Sequence, residues 1–160
     1  MDRVNEARDK AIRNLKIADH MLTQTYPSVK DPRILLSVLE NLFLAMTNAM
    51  AAILHYENLN KRIPAFDDNF SSKFDILRLK VAPRYKMNKE YLNLITEIKG
   101  MLVSHKKSPV EFSRKDVFVI CSDTYNMKVI SSKEMMNYVN SAKGFVQEMQ
   151  NITSQNERSA

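Results

Sequence analysis

The sequence predicts an all-α fold with a small appended β-hairpin, built as one domain. Only two glycines and five prolines occur in 160 residues, which leaves few positions for the tight turns of a sheet-rich fold. Apolar residues recur at three- and four-residue steps through long segments, the pattern of amphipathic helices. A chain with 44% apolar residues is long enough to bury one core. We therefore expect a single domain over residues 1–152 and a disordered polar tail over 153–160.

Two long helices are predicted in the first third of the chain. The first covers about residues 2–24 and ends at Tyr26-Pro27, because a proline disfavours helical dihedrals in the residue before it. Asp31 followed by Pro32 is typical of a helix start, and the second helix runs to about Asn58. Its middle has little polar face, so we expect it to be buried at the centre of a bundle or against a second subunit.

The middle of the chain predicts a connection and two further helices. Residues 59–70 form the connection, and Ser71 or Ser72 caps a short helix that Pro83 ends. Asn88 is expected to cap a helix from residue 89 to about residue 105.

The C-terminal part combines the hairpin with a last helix. A polar loop precedes the runs VFVIC (117–121) and MKVI (127–130), which predict a hairpin over about 117–130 with Asp123 in its turn. Such a hairpin is marginal alone, so it lies on the helices or pairs with a second chain. Ser131 and Glu134 have capping-box spacing and start a helix that runs to about Ile152.

Several classes of function have no support in the sequence. One cysteine, Cys121, allows no internal disulfide and no cysteine-based metal cluster. The three histidines lack close ligand companions, so no metal site or cofactor is expected. The charged start is unlike a signal peptide and no uninterrupted apolar run approaches a membrane span, so we expect a cytoplasmic protein that does not enter a membrane.

The positive charge is concentrated in the segment 78–115. This segment holds ten lysines and arginines against three glutamates, so it carries +7, whereas the whole chain carries +6. Such a segment favours an anionic partner, nucleic acid first, although a solvated basic face is an equally simple interpretation. The cations predicted to bind an anion are the following: Arg84, Lys86, Lys106, Lys107, Arg114 and Lys115.

Two histidines are candidates for acid–base chemistry. Arg13 and His20 lie seven residues apart, two helical turns, so they share a face of the first helix. His105 is at the expected end of the fourth helix, where the helix dipole favours a cation, and Lys99 is six residues before it. An imidazole acts as a base on a 2′-hydroxyl, and a neighbouring cation holds a phosphate oxygen. The simpler interpretations are a solvated helix surface for the first pair and a capping role for His105.

The remaining polar candidates have structural explanations. His55 is expected to be buried and bonded to Tyr56 or Glu57, and Asp67-Asp68 to belong to a turn. Cys121 is expected to be a packed, inert thiol.

Three stretches of the chain resemble the HEPN family of helical bundle proteins. They are AIRNLKIADHML, AMAAILHYE and EIKGMLVSHKKSP, and the resemblance covers about residues 1–107. It implies an up-and-down bundle of four or five helices that often dimerises. Many members are metal-independent ribonucleases, and others are RNA-binding or partner-binding modules.

The family's nuclease motif is an arginine, usually followed by a polar residue, with a histidine after a short spacer on a late helix. Arg13-Asn14 and His20 have the right residue types on the first helix. Lys99 through His105 has the right place and spacing, but Lys99 replaces the arginine and Gly100 the polar residue. A lysine cannot reproduce a bidentate guanidinium contact, so the resemblance favours a non-catalytic member.

Three hypotheses for the function follow. The first is a non-enzymatic, homodimeric module that binds RNA or another polyanion through the segment 78–115. The second is a metal-independent endoribonuclease that uses Lys99 and His105 or Arg13 and His20. The third is a protein assembly module without nucleic-acid binding.

Overall fold

A computed structural model of the chain describes residues 1–122 and 126–155, and these are mainly helical with one small antiparallel sheet. The helices are α1 (Asp2–His20), α2 (Tyr26–Val29), α3 (Arg33–Leu59), α4 (Phe70–Ile76), α5 (Ala82–Tyr85), α6 (Lys89–Lys107) and α7 (Ser132–Thr153). The strands are β1 (Val110–Arg114), β2 (Val117–Cys121) and β3 (Met127–Ser131).

Helix α3 is the centre of the fold. It packs against α1, α4, α6 and α7, and it also contacts strands β2 and β3. Small buried residues on both helices, such as Ala11 of α1 and Ala49 of α3, let these two helices approach closely. About half of the residues of α3 are buried within this one chain, 14 of 27.

The length and composition of α3 also match those of a membrane-crossing helix. A buried core helix passes the same test of length and composition, and half of the most apolar stretch of α3 is buried inside the protein.

The first and third predicted helices continue past the prolines that were expected to end them. Residues Met21–Thr25 form a π-helical turn before Pro27, and Leu77–Val81 form another before Pro83. At the end of each turn an amide bonds five residues back, Tyr26 N–H to Met21 O and Ala82 N–H to Leu77 O. Because these wider turns re-pair the backbone just before each proline, α2 and α5 add one further turn each.

Left-handed residues and side-chain caps mark several helix ends. Lys30 and Lys86 adopt positive φ after α2 and α5. Asn88 and Ser131 cap α6 and α7 as predicted, with acceptor distances of 3.0 Å to Glu90 N and 3.2 Å to Glu134 N. The cap of α4 is Asn69, which accepts a hydrogen bond from Ser72 N at 2.9 Å, so the expectation of a serine cap is wrong.

The sheet contains a strand that the sequence analysis assigned to a loop. β1 pairs with β2, and β2 pairs with β3, in the order β1-β2-β3. β1 lies at an edge and contains no fully buried residue, so no apolar run marks it in the sequence. The predicted strands 117–121 and 127–130 are confirmed as β2 and β3, whereas Asp123 lies outside the described residues.

The two faces of the sheet have different surroundings. Phe118, Ile120 and Ile130 point to the helices and belong to the core. The opposite face, called the outer sheet face, carries apolar residues from all three strands. They are Val110, Phe112, Val119, Met127 and Val129.

Candidate anion-binding face

Helix α6 presents lysines along one exposed side. Lys89, Lys99 and Lys106 fall within an arc of about 100° and are spread over about 25 Å of helix. The two glutamates of α6, Glu90 and Glu97, lie outside this arc. Helical periodicity therefore separates the basic side of α6 from its acidic residues.

A groove of about 510 Å³ borders the first half of this side. Arg78 and Lys86 approach it from the preceding segments, and Lys89 comes from α6. Its apolar lining includes Phe74 and Leu92, and no aspartate or glutamate lines it. Lys86 and Lys89 are exposed and have no ion pair among residues 1–122 and 126–155, whereas Arg78 contacts the exposed Asp75 at 3.3 Å.

A second groove of about 380 Å³ borders the other half of α6. Lys99, His105 and Lys106 line it from α6, and Phe43 and Glu40 line it from α3. Glu40 is the only acidic residue in this lining, so both grooves carry more positive than negative charge. We call Arg78, Lys86, Lys89, Lys99 and Lys106 the basic face.

A row of three aromatic rings links the two grooves. Phe70 stacks on Phe74 with ring centroids 5.5 Å apart, and it contacts Phe43 at 5.8 Å. The Lys99 ammonium lies 4.2 Å from the Phe70 centroid, a cation–π geometry. Phe74 lines the first groove and Phe43 the second, so the row of rings runs from one groove to the other.

His105 has a carboxylate partner that the sequence analysis missed. Its Nδ1 lies 2.5 Å from Oε2 of Glu111, a residue of β1. This contact fixes the orientation of the ring and leaves Nε2 for another partner. Little in the sequence indicated this contact, because Glu111 is in the segment that was predicted to be a loop.

Arg84, Arg114 and Lys115 do not line either groove, whereas Lys107 lies about five helical turns after Lys89 and therefore at the same angle on α6. Arg84 Nη1 lies 3.0 Å from Oε1 of Glu57, so this guanidinium already pairs with a carboxylate of α3. Arg114 and Lys115 are at the turn between β1 and β2, where Lys115 has a φ of 51°. Lys107 is the exposed last residue of α6.

Arg13 and His20 lie on the surface of α1. Both side chains are exposed on α1, and no hydrogen bond or ion pair joins them to any part of the chain that the structure describes. Their neighbour Asp19 contacts Lys143 of α7 at 3.2 Å. The structure thus agrees with an ordinary helix surface at RNLKIADH.

His55 differs from its expected setting. It is half-buried, 5.3 Å from the Phe66 ring, and it makes no bond to Tyr56 or Glu57 in the described ranges. Both oxygens of the buried Glu57 are instead taken by Arg62, at 2.9 Å, and Arg84. Partial burial first, then the charges of Arg3 and Lys73, lower the pKa of His55.

The last candidates have structural roles. Asp68 pairs with Lys73, and this contact lowers the pKa of Asp68. Cys121 is the half-buried last residue of β2. Within residues 1–122 and 126–155, no group of three histidine, cysteine, aspartate or glutamate side chains is placed to hold a metal ion.

Comparisons with known proteins give no assignment. No family model matches the chain, and neither a curated protein nor a solved structure matches it.

Proposed function

We propose that this protein is a non-enzymatic module that binds RNA through its basic face. The observation that carries the proposal is the placement of five cations from the segment 78–115 around two grooves on one side of α6. Such a surface attracts phosphates, and binding releases the counterions that surround the nucleic acid. Lys86, Lys89 and Lys106 have the greatest capacity for this, since none of them has an ion pair within the described chain.

A salt series with charge-reversal variants tests this proposal. The double variant Lys89→Glu and Lys106→Glu is compared with Lys16→Glu and Lys133→Glu, which makes the same charge change at exposed positions of α1 and α7. RNA affinity of the wild type should fall steeply with salt. Each lost phosphate contact should reduce the slope of log K against log salt by about 0.7 in the first variant alone. A flat salt response, or equal effects of both variants, would contradict the proposal.

The contact between His105 and Glu111 supports a second candidate, a metal-independent endoribonuclease. A carboxylate-oriented imidazole beside lysines is a plausible general base for attack by a 2′-hydroxyl. RNA incubated with EDTA-treated protein should then be cut by the wild type and not by His105→Ala. Glu111→Gln should cut more slowly, since it loses the orienting charge. Absence of cleavage by the wild type would remove this candidate.

The finer architecture belongs to the same proposal. We infer an up-and-down helical bundle of the HEPN type, present in the cytoplasm as a homodimer. The order of the long helices α1, α3, α6 and α7 supports the bundle, and the apolar outer sheet face supports self-association. The same face supports a protein assembly role, which would operate without nucleic acid.

A further inference from the structure

The basic face combines cations with aromatic rings, and this combination bears on the form of the nucleic acid. Phosphate contacts alone do not distinguish a single strand from a duplex. Aromatic rings do, because a duplex keeps its bases paired and stacked inside, whereas an unpaired base offers a free planar face.

The first groove is shaped for one such base. Phe74 and Leu92 form part of its apolar lining, and Asn93 and Thr96 add polar groups at its border. Its volume of about 510 Å³ is within the usual range of about 300–1,000 Å³ for sites that hold a small organic group. Arg78, Lys86 and Lys89 border the same groove, where a phosphate attached to the base would lie.

The row of rings continues the groove toward the second one. Phe70 joins Phe74 to Phe43, and Lys99 lies above Phe70. A chain that leaves the first groove along α6 would next meet Lys99 and then Lys106. The row of rings thus joins the two grooves, and the lysines extend beyond it along α6, a combination of rings and cations as in surfaces that bind single strands without sequence preference.

We propose that the basic face binds single-stranded RNA, with one unpaired base held against Phe74 and Leu92 in the first groove and the backbone running along Lys89, Lys99 and Lys106. This inference rests on the proposed RNA-binding function and deepens it. The inference specifies single-stranded rather than duplex RNA as the ligand, and it assigns base binding to the uncharged residues Phe74 and Leu92.

The test compares strands and variants in one binding assay. The probe is a labelled uridine oligomer of about 10 nucleotides, within the range of about 4–16 that single-strand modules cover, and the comparison is the same length of duplex RNA. The single strand should bind at least about tenfold more tightly. Phe74→Leu, which keeps an apolar side chain but removes the ring, should weaken strand binding about tenfold and leave duplex binding unchanged.

If Phe74→Leu does not fold, a competition experiment tests whether the wild type recognises a base. Uridine monophosphate should displace the oligomer from the wild type at lower concentration than ribose 5-phosphate, which carries the same phosphate without a base. Equal competition by the two compounds, or equal affinity for strand and duplex, would overturn the inference and leave polyanion binding intact. Absence of binding to either RNA at low salt would overturn both the inference and the proposed function.

Discussion

Glu57 is a wholly buried carboxylate near the end of α3, and its two oxygens contact two different arginines. Arg62 follows α3 directly, and Arg84 belongs to α5, so the three charges hold the connection and α5 against the core helix. Tyr85 accepts a hydrogen bond from Arg62 at 3.2 Å. Burial, then the neighbouring carboxylate, raises the pKa of Tyr85 to about 12. Ala82 and Pro83 of α5 line the first groove, so this cluster holds an element of that groove in place.

Removal of both arginines should therefore destabilise the protein strongly. The double variant Arg62→Ala and Arg84→Ala leaves a buried charge without a partner, which costs about 3–5 kcal/mol. Each single variant should cost less, since one arginine remains. Urea unfolding measures these differences. In a Glu57→Gln background, the two arginine substitutions should lower the free energy of unfolding much less. An equal decrease there would show that the charge of Glu57 is not the cause.

His55 should make stability depend on pH near neutrality. Its pKa is lowered in the folded state, so the unfolded chain binds the proton more readily. The stability that neutral His55 contributes is fully present above the ordinary histidine pKa of about 6.5. It is lost as the pH falls through the lowered pKa of His55 in the folded state. Between about pH 8 and pH 5, the wild type should therefore lose more unfolding free energy than His55→Gln. Parallel curves would contradict the assignment, and Arg3→Gln should reduce the loss because it removes one cation near the ring.

Both glycines of the chain lie within helices, so the same alanine substitution can be compared at the two positions. A Cβ at Gly100 of α6 would meet only Lys128 Nζ, at 3.8 Å, an ordinary contact. A Cβ at Gly144 of α7 would lie 2.5 Å from the Tyr91 hydroxyl and 3.1 Å from two ring carbons. The ring of Tyr91 packs on Phe145, so it cannot move without loss of that contact.

Alanine at these two positions should have opposite effects. Gly100→Ala should stabilise the protein by up to about 1 kcal/mol, the difference in helix propensity. Gly144→Ala should destabilise it by about 1–3 kcal/mol through overpacking. Thermal unfolding of both variants checks the signs. In a Tyr91→Ala background, Gly144→Ala should become stabilising, and a persistent loss there would rule out the clash as the reason.

The sequence predicted the elements whose signals are local. Asn88 and Ser131 cap helices where their side chains and spacing indicate, and β2 and β3 follow from two apolar runs. The continuation of the helices through Pro27 and Pro83 was not predictable, because π-helical turns are rare and a proline normally ends a helix. β1 was missed because its residues are exposed and its pairing with β2 is a tertiary contact.

Less of the candidate site than of the fold could be predicted from the sequence. The charge of the segment 78–115 was visible, and so was the place of Lys99 and His105 on a late helix. The pairing of Arg84 with Glu57 was not, since these residues are 27 positions apart. The row of Phe43, Phe70 and Phe74 joins two helices whose packing no local pattern reveals.

For the whole molecule, the apolar surface that remains is on the sheet rather than on α3. Met127 is 62% exposed and Val110 is 54% exposed, and both lie on the outer sheet face with Phe112 and Val129. A contiguous apolar patch on a sheet with two free edge strands favours association with a second copy of the same surface.

Light scattering coupled to size exclusion tests this arrangement. The wild type should have about twice the chain mass of 18.5 kDa. Phe112→Thr with Val129→Thr should give the monomer mass, because threonine keeps the strand propensity but replaces the phenyl ring of Phe112 and one methyl group of Val129 with polar hydroxyls. Leu79→Thr, an exposed apolar residue of the π-helical turn before α5, should leave the dimer unchanged. A monomeric wild type at high concentration would contradict the homodimer, and a dimer that survives the double variant would place its interface on another surface.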